Sequence, residues 1–355
     1  MLLIPLILVL NSCGENGTVP IQLEQLKDPR EMTWTVDTIY YPGAFQTLMN
    51  NFCAFSSKNI YVVGHSSQGS AGSLYHFNGE KWEEVNYNVR GILFRITGID
   101  NELWGAGYIG TEVYGVYTEY SHVVKYDGSI WQEINFDNSS HLITVGALLS
   151  ITAESKNNIW ACGREGLVIH YNGSKWQKDT INIPRIPNTE YSLYSIILNN
   201  GKPLIMGLMY NPTYGIKTYY ITGNENNWTV TDSMHPGPQN PVTTLGDNDF
   251  HKGDNGKLYS FGDALFEYNA GIWKNIYSTE NYIDGMKALR EDYIFVVGHF
   301  GLISFYDGKS WDRLTELEAK IPGALYKDVW TDGKEVFIVG YLNTIPQKSI
   351  VLHGK

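Results

Sequence analysis

The chain has 355 residues, of which 43% are hydrophobic, 14% aromatic and only 18% charged. The hydrophobic fraction excludes a disordered chain, and the low charge excludes a long charged coiled coil. With 26 Lys+Arg against 37 Asp+Glu the net charge is −11, which disfavours a nucleic acid as partner. The 36 Gly and 25 Tyr are typical of many short β-strands joined by turns.

The chain begins with an apolar run at residues 1–10, which is too short to span a bilayer and is typical of a signal peptide. The next residues, Leu10-Asn11-Ser12-Cys13, resemble a bacterial lipobox. The resemblance implies cleavage before Cys13 and lipid attachment to it, although no Lys or Arg precedes the apolar run. We expect residues 1–12 to be a lipoprotein signal peptide and 13–30 a flexible tether.

This N-terminus predicts an extracytoplasmic protein, lipid-anchored to the outer membrane or cell surface, with no other membrane contact. The alternative is an ordinary secretory signal and a secreted protein. The remaining cysteines, Cys53 and Cys162, lie in strand-like runs and have neither disulfide-framework nor metal-ligand spacing. We expect both to be buried thiols.

Internal repetition is the main signal in the rest of the chain. Each unit has an apolar strand that ends in glycine, then a strand that ends in a tight hairpin such as Tyr-Asn-Gly, then a strand with tryptophan. The spacing of the strand-ending glycines, 36 to 56 residues, is close to that of four-stranded propeller blades. These glycines are Gly64, Gly107, Gly163, Gly207, Gly262, Gly298 and Gly340.

The two ends of the chain complete each other in this pattern. The seventh unit stops at Lys355, where its tryptophan strand is due, and an unassigned tryptophan strand surrounds Trp34. Pairing the two closes the ring and leaves no open sheet edge between the first and last blades. The sequence therefore predicts an all-β, seven-bladed propeller over residues 31–355.

The repeats resemble those of a widespread family of bacterial secreted or lipoprotein β-propellers, with Val-Trp-Ala-Val-Gly and His-Tyr-Asp-Gly-x-x-Trp segments. The clearest unit here reads Ile159-Trp160-Ala161-Cys162-Gly163, then His170-Tyr171-Asn172-Gly173. The chain is more loosely similar to tectonin-type sugar-binding propellers. The family implies surface proteins, mostly without an assigned reaction, whose motif residues are structural. His76, His170 and His353 recur in the same place, and we expect a structural role for them.

Loop lengths predict which face binds a partner. Turns between the first and second strands are short, whereas insertions follow the second strand or join the blades, and in a propeller these open on one face. The same loops are rich in tyrosine, which stacks on sugars or contacts a protein. The alternative is that a chain so rich in tyrosine places it everywhere. The candidate ligand-binding tyrosines are Tyr114, Tyr117, Tyr210 and Tyr214, with Tyr108, Tyr120 and Tyr191 nearby in sequence.

The residue after each strand-ending glycine is expected near the mouth of the central channel. These residues are His65, Tyr108, Arg164, Leu208, Asp263, His299 and Tyr341, and all except Leu208 can hydrogen-bond. His65, Asp263 and His299 are the right ligands for a divalent metal or for proton transfer. The alternative, which we favour, is that they solvate the starts of loops, so that no cofactor is expected.

No nucleophile, zinc, phosphate-loop or dinucleotide motif is present. We therefore expect a monomeric recognition or scaffold module that binds a glycan, a peptide or an envelope protein, rather than an enzyme. The alternative is a carbohydrate-active hydrolase or lyase with its site at the channel mouth.

Overall fold

The computed structural model describes residues 26–86, 91–113, 115–134, 145–181, 189–211, 215–224, 227–234 and 245–355. The expected signal peptide, Cys13 and most of the expected tether lie outside this part. The described strands form seven four-stranded antiparallel sheets, so the prediction of a seven-bladed β-propeller is confirmed. No helix in these ranges has the length and hydropathy needed to cross a membrane.

The first four blades follow the chain, each starting with the strand nearest the central channel. Blade 1 is β2 (Thr47–Ser56), β3 (Asn59–Ser66), β4 (Leu74–Phe77) and β5 (Trp82–Glu84). Blade 2 is β6 (Ile92–Ile99), β7 (Glu102–Val113), β8 (Val116–Tyr126) and β9 (Trp131–Glu133). Blade 3 is β10 (Leu148–Ser155), β11 (Asn158–Gly163), β12 (Leu167–Tyr171) and β13 (Trp176–Thr180). Blade 4 is β14 (Glu190–Asn199), β15 (Lys202–Asn211), β16 (Gly215–Asn224) and β17 (Asn227–Met234).

The last three blades complete the ring. Blade 5 is β18 (Asp249–Lys252), β19 (Leu258–Phe261), β20 (Ala264–Asn269) and β21 (Ile272–Ser278). Blade 6 is β22 (Ile283–Arg290), β23 (Tyr293–Gly298), β24 (Ile303–Tyr306) and β25 (Trp311–Arg313), with a 3₁₀ turn at His299–Gly301. A short helix, α1 (Thr315–Lys320), leads to blade 7, which is β26 (Leu325–Thr331), β27 (Val336–Tyr341), β28 (Ser349–Gly354) and β1 (Trp34–Ile39).

The ring closes as predicted from the two termini. Strand β1 pairs antiparallel with β28, from Trp34 opposite Gly354 to Ile39 opposite Ser349. Within the expected tether, residues 26–30 contact the propeller: the Lys27 amide donates to the Gly333 carbonyl at 2.8 Å, and the Tyr293 hydroxyl donates to the Lys27 carbonyl.

Five of the seven strand-ending glycines, all except Gly207 and Gly262, share a steric cause. A Cβ added to Gly163 would lie 2.0 Å from the Ala147 carbonyl oxygen, and one on Gly64 would lie 1.9 Å from that of Leu48. Both carbonyls belong to the innermost strand or the residue before it, just ahead of a β-bulge. Glycine is therefore required because the second strand passes directly against the inner backbone.

Packing between blades supplies the core. One buried cluster, for example, joins Tyr61 and Val63 of blade 1 to Leu93 and Leu103 of blade 2. The recurring histidines belong to the blade repeat, as predicted. Each stacks on an aromatic ring of the second strand: His76 on Tyr61, His170 on Trp160 and His353 on Phe337, with ring centroids 4.4, 3.8 and 3.9 Å apart.

Candidate functional site

One position of the innermost strand recurs in all seven blades and lines the central channel. It pairs with the residue before each strand-ending glycine and follows a bulged residue in six blades. We call it the channel position. Its occupants, from blade 1 to blade 7, are Asn51, Arg95, Ser150, Ser195, Asp249, Gly285 and Asp328.

Four of these side chains make the same bond to the neighbouring blade. In each case the acceptor is a side-chain oxygen at the channel position of one blade. The donor is a backbone N–H in the next blade, one residue after the channel position of that blade. The bonds are Ile96 N to Asn51 Oδ1 at 3.1 Å, Ile196 N to Ser150 Oγ at 3.3 Å, Phe250 N to Ser195 Oγ at 3.1 Å and Phe52 N to Asp328 Oδ2 at 2.8 Å. The repeat therefore uses this position as a hydrogen-bond acceptor between blades.

Arg95 and Gly285 do not fit this pattern, because arginine has no acceptor and glycine has no side chain. Arg95 instead reaches across the channel from blade 2 to blade 5, where its Nη2 lies 2.6 Å from Asp249 Oδ2. Positions that break a structural repeat are candidates for function. Both departures lie at one cavity.

The cavity has a volume of about 330 Å³ and lies in the channel, lined mainly by blades 1, 5, 6 and 7, with Arg95 of blade 2 and Tyr194 of blade 4. This volume is at the lower end of the range for small-ligand sites. Its lining carries both signs of charge, from Asp249, Asp284 and Asp328 and from Arg95, Lys287 and Lys327.

A second ion pair lies toward the start of the inner strands. The Lys327 ammonium contacts Asp284 Oδ1, and His299 Nε2 lies 2.9 Å from Asp284 Oδ2. The Asp284 side chain is only 6% exposed, and its Oδ2 accepts no hydrogen bond from a described residue. The buried Asp284 carboxylate thus has a cationic or imidazole group beside each oxygen, and this cluster at the cavity is a candidate binding site.

Burial shifts two further titratable groups of the cavity. It raises the pKa of Asp328 to about 6, against the opposing effect of the Phe52 and Val329 amides that donate to it. It lowers the pKa of His251 to about 3, and the nearby Lys287 charge acts in the same direction. The hydrogen bonds that Asp328 accepts from backbone amides explain why an aspartate occupies this buried position. Its shifted pKa therefore does not by itself indicate catalysis.

Of the residues that follow the strand-ending glycines, His299 contacts a residue that lines this cavity, whereas Asp263 contacts Asp247, which does not line it. His299 contacts Asp284, as described, and the Asp263 amide donates to Asp247 Oδ1 at 3.2 Å. The described residues contain no group of three or more His, Cys, Asp or Glu side chains placed to hold a metal ion. His65, Asp263 and His299 therefore do not meet as a metal site.

Another set of predicted residues forms a separate group on blades 2 and 3. Burial raises the pKa of Tyr108 to about 12, and its hydrogen bond with Tyr117 adds to this rise. The Arg164 guanidinium lies 3.4 Å from the Glu119 carboxylate. These contacts place the tyrosines of the long β7–β8 hairpin next to the loop of blade 3.

The other predicted residues remain apart from the channel cavity. His65 is exposed at the end of β3, Tyr210 is exposed at the end of β15, and Tyr341 is half-buried at the end of β27. Tyr114 and Tyr214 lie outside the described residues. None of these is brought to the channel cavity by a contact that the structure describes.

The exposed apolar residues favour one face of the ring. We call the face that carries the connections between second and third strands, and between blades, the loop face. Of ten large hydrophobic residues exposed in the described ranges, seven lie there, and only Ile130 and Ile272 lie in turns of the opposite face. The seven are Phe45, Val116, Tyr117, Val145, Tyr210, Phe300 and Ile345.

Sequence reasoning missed Arg95, Asp249, Asp284 and Lys327. A signal was present, because the channel position lies 12 or 13 residues before the strand-ending glycine in every blade. Comparing those seven residues singles out Arg95 and Gly285 as the departures. Asp284 and Lys327 each come one residue earlier, at the bulge.

Comparison with known proteins gives structural neighbours only. No family model matches the chain, and no curated protein sequence does. A solved structure described as YCF48 bound to D1 peptide has a TM-score of 0.57 at 14% identity, covering 92% of this chain and 97% of its own. YCF48 from Cyanidioschyzon merolae has a TM-score of 0.55 at 12% identity, covering 89% and 98%. BBS1N in complex with ARL6DN has a TM-score of 0.50 at 9% identity, covering 89% and 94%.

These identities are low, and the likeness is one of fold. The chain is a seven-bladed β-propeller with a charged cavity in its channel and exposed apolar side chains around one face.

Proposed function

We propose that the propeller is a recognition module that binds a protein partner, as a peptide segment or a folded surface, through its loop face. The observation that carries this proposal is the concentration of exposed apolar side chains on that face. Phe300 is 70% exposed, Phe45 68% and Ile345 97%. Such residues cost solubility unless a partner covers them, and aromatic side chains are frequent anchors in protein interfaces.

The structural neighbours support a protein partner. One YCF48 structure contains a D1 peptide, and BBS1N was solved in complex with ARL6DN. A glycan is the alternative ligand, because exposed tyrosines such as Tyr117 and Tyr210 can stack on sugar rings. The apolar side chains Phe45, Val145 and Ile345 favour a protein, since sugars offer little aliphatic surface to bury against them.

The experiment compares matched variants of the two faces. The loop-face variant is Phe45→Ser/Tyr117→Ser/Ile345→Ser, and the control on the opposite face is Ile130→Ser/Ile272→Ser. Each purified protein is immobilised and exposed to extract from its own source organism, and retained proteins are quantified by mass spectrometry. We expect at least one protein to be retained by the wild type and the control and to be lost by the loop-face variant.

The opposite pattern, loss with the control variant and retention with the loop-face variant, would place the binding surface elsewhere. Retention of nothing, combined with a positive glycan array, would replace the protein partner by a sugar. Turnover of a polysaccharide by the purified protein would favour the carbohydrate-active enzyme instead.

We also propose that the propeller is held at the bacterial envelope by a lipid on Cys13, with residues 14–25 as part of the tether. The lipobox-like sequence supports this proposal. The test is expression in a bacterium supplied with an alkyne-tagged palmitate. We expect label on the wild type and none on Cys13→Ser, and an unlabelled, fully released wild type would favour secretion instead.

A further inference from the structure

The innermost strand of blade 6 directs backbone amides away from its own sheet. The Ala288 amide donates to His251 Nε2 of blade 5 at 3.5 Å, and the Ala288 carbonyl accepts the Asp254 amide of blade 5 at 2.8 Å. Ala288 therefore turns its backbone groups away from β23. Because alternate residues of an antiparallel strand present their amides to the same edge, Met286 directs its N–H the same way, toward the channel.

The repeat supplies an acceptor for such an amide from the channel position of the preceding blade, as in the four bonds described above. For Met286 this residue is Asp249, but both of its oxygens are occupied elsewhere. Asp249 Oδ1 accepts the Phe250 amide at 2.8 Å, and Oδ2 contacts Arg95. Within the described ranges, the Met286 amide has no bond to a side chain or to another blade. The Arg95–Asp249 pair thus leaves a donor free in the channel.

The Arg95 guanidinium carries further free donors. Arginine has five N–H groups, and Arg95 uses one of them, on Nη2, in its single bond to a described residue. Its side chain is 32% exposed, so the other N–H groups are open to a guest. Arg95, Gly285 and Met286 all line the cavity of about 330 Å³. The two sets of donors therefore belong to one cavity.

The carboxylates of the same cavity are already engaged. Asp328 accepts two backbone amides and the Asn51 side chain, and Asp284 has Lys327 beside one oxygen and His299 beside the other. The lining contains three aspartates and three side chains of lysine or arginine, so their charges cancel. A negative guest is therefore not repelled by a net charge, and the group that the free donors lack is an acceptor.

We propose that the channel cavity binds one carboxylate group, which accepts hydrogen bonds from the remaining Arg95 N–H groups and from the Met286 amide. A planar carboxylate matches the planar guanidinium, and bonds between the two are charge-assisted. The volume has room for a small organic acid or for an acidic side chain, but not for a folded element. This site is separate from the loop face and does not depend on the proposed function.

The test uses the full chain labelled with ¹⁵N-methionine, which gives one backbone amide signal for each of its seven methionines. The Met286 signal is identified by its loss in Met286→Leu. Acetate and propionate are titrated at constant ionic strength, with the neutral isosteres acetamide and propionamide as controls. We expect the acids to shift the Met286 signal saturably and the amides to leave it unmoved. Arg95→Lys keeps the charge but loses the planar donors, and should weaken acetate binding about tenfold or more.

The matched control variant is Ser150→Ala, which changes the channel position of blade 3 and removes its bond to the Ile196 amide. Ser150 lies outside the lining of the cavity, so acetate should bind this variant like the wild type. The proposal is wrong if the acids do not bind, if acetamide binds as well as acetate, or if acetate leaves the Met286 signal unmoved. These three outcomes are read on the wild type, so they stand even where Arg95→Lys fails to fold.

A further titration distinguishes the two sources of the carboxylate. Nα-acetyl-glutamate α-amide presents the acidic side chain of a peptide. If it shifts the Met286 signal like propionate, the cavity accepts a partner's side chain. If only acetate and propionate do so, the guest is a free small acid. Both results support a carboxylate site, and failure of the loop-face variant to lose a retained protein would reject the proposed function while leaving this site in place.

Discussion

Arg95 of blade 2 and Asp249 of blade 5 meet across the central channel, with Arg95 Nη2 2.6 Å from Asp249 Oδ2. In a ring of seven, these blades are as far apart as two blades can be. The Asp249 side chain is 11% exposed and the Arg95 side chain 32%, so the carboxylate is well shielded from solvent. The pair therefore couples opposite sides of the ring, which packing between adjacent blades does not do.

We expect Arg95→Met to lower the free energy of unfolding by about 2 kcal/mol, because it leaves the Asp249 carboxylate buried without a counter-charge. This value is set below that of a fully buried pair because about a third of Arg95 is exposed. The double variant Arg95→Met/Asp249→Asn should be less destabilised than the two single variants together, as measured by urea unfolding. The exposed pair Lys81–Glu83 is the control and should show no measurable coupling. Additive effects of Arg95→Met and Asp249→Asn would contradict this account.

The sequence was sufficient to predict the blades because their glycines, hairpin turns and tryptophans recur. Gly163 and Gly64 are needed for the same close approach to an inner carbonyl, so the same residue appears in both blades. The ring closure could be predicted for a similar reason. The repeat shows that the seventh unit lacks its fourth strand, and the strand around Trp34 belongs to no other unit. Because several blades impose the same steric requirement at the same position, the same residue recurs there in the sequence.

The cavity could not be predicted in the same way. Its residues differ from blade to blade, and the Arg95–Asp249 pair joins positions 154 residues apart in the chain. The sequence analysis expected His299 near the channel mouth and grouped it with His65 and Asp263. Its contact in the structure is Asp284, a residue at a β-bulge. Side-chain direction at a bulge depends on the local register, which spacing alone does not reveal.

Asp328 should make the free energy of unfolding fall as the pH rises. Its pKa is raised to about 6 from an ordinary 3.8, chiefly by burial. Between pH 4 and 6 the folded state therefore binds more protons than the unfolded state, and this contribution to stability falls as the pH rises. We expect Asp328→Asn to remove that slope, up to about 1.4 kcal/mol per pH unit. The measurement is urea unfolding of both proteins at intervals from pH 4 to 7.

Asp328→Asn also alters the bonds from the Phe52 amide and the Asn51 side chain, both of which Asp328 Oδ2 accepts. A constant loss of stability is therefore expected at every pH. Only the change of slope tests the raised pKa, and parallel curves for the two proteins would contradict it.

His251 should act with the opposite sign. Burial lowers its pKa to about 3 from an ordinary 6.5, so the folded state keeps it neutral while the unfolded state takes up a proton. This contribution is present above about pH 6.5 and is lost as the pH falls toward 3. We expect His251→Gln to lose less stability than the wild type between pH 6.5 and 4, in the same unfolding series. An equal loss in both proteins would show that His251 titrates normally in the fold.

The closure of the ring by β1 predicts a sharp boundary for truncation at the N-terminus. Removing residues 1–25 should leave the thermal midpoint unchanged, because blade 7 is complete from Trp34 to Ile39. Removing residues 1–39 deletes that strand, takes away Trp34 and Ile39, which are 9% and 1% exposed, and leaves β28 as an open edge. Open edges of this kind pair with other chains, so we expect a lower thermal midpoint and oligomers in light scattering after size-exclusion chromatography.

A milder variant separates the strand from the segment that precedes it. Arg30 forms ion pairs with Asp28, Asp307 and Asp312 and is 39% exposed, so Arg30→Ala should lower the thermal midpoint only slightly and leave a monomer. If removal of residues 1–39 also gave a monomer with an unchanged midpoint, β1 would not be what closes the ring. If Arg30→Ala alone caused oligomers, residues 26–33 rather than the β1–β28 pairing would hold the two ends together. The two variants thus show how much of the stability of the ring closure comes from the backbone pairing of β1 with β28 and how much from the ion pairs of Arg30.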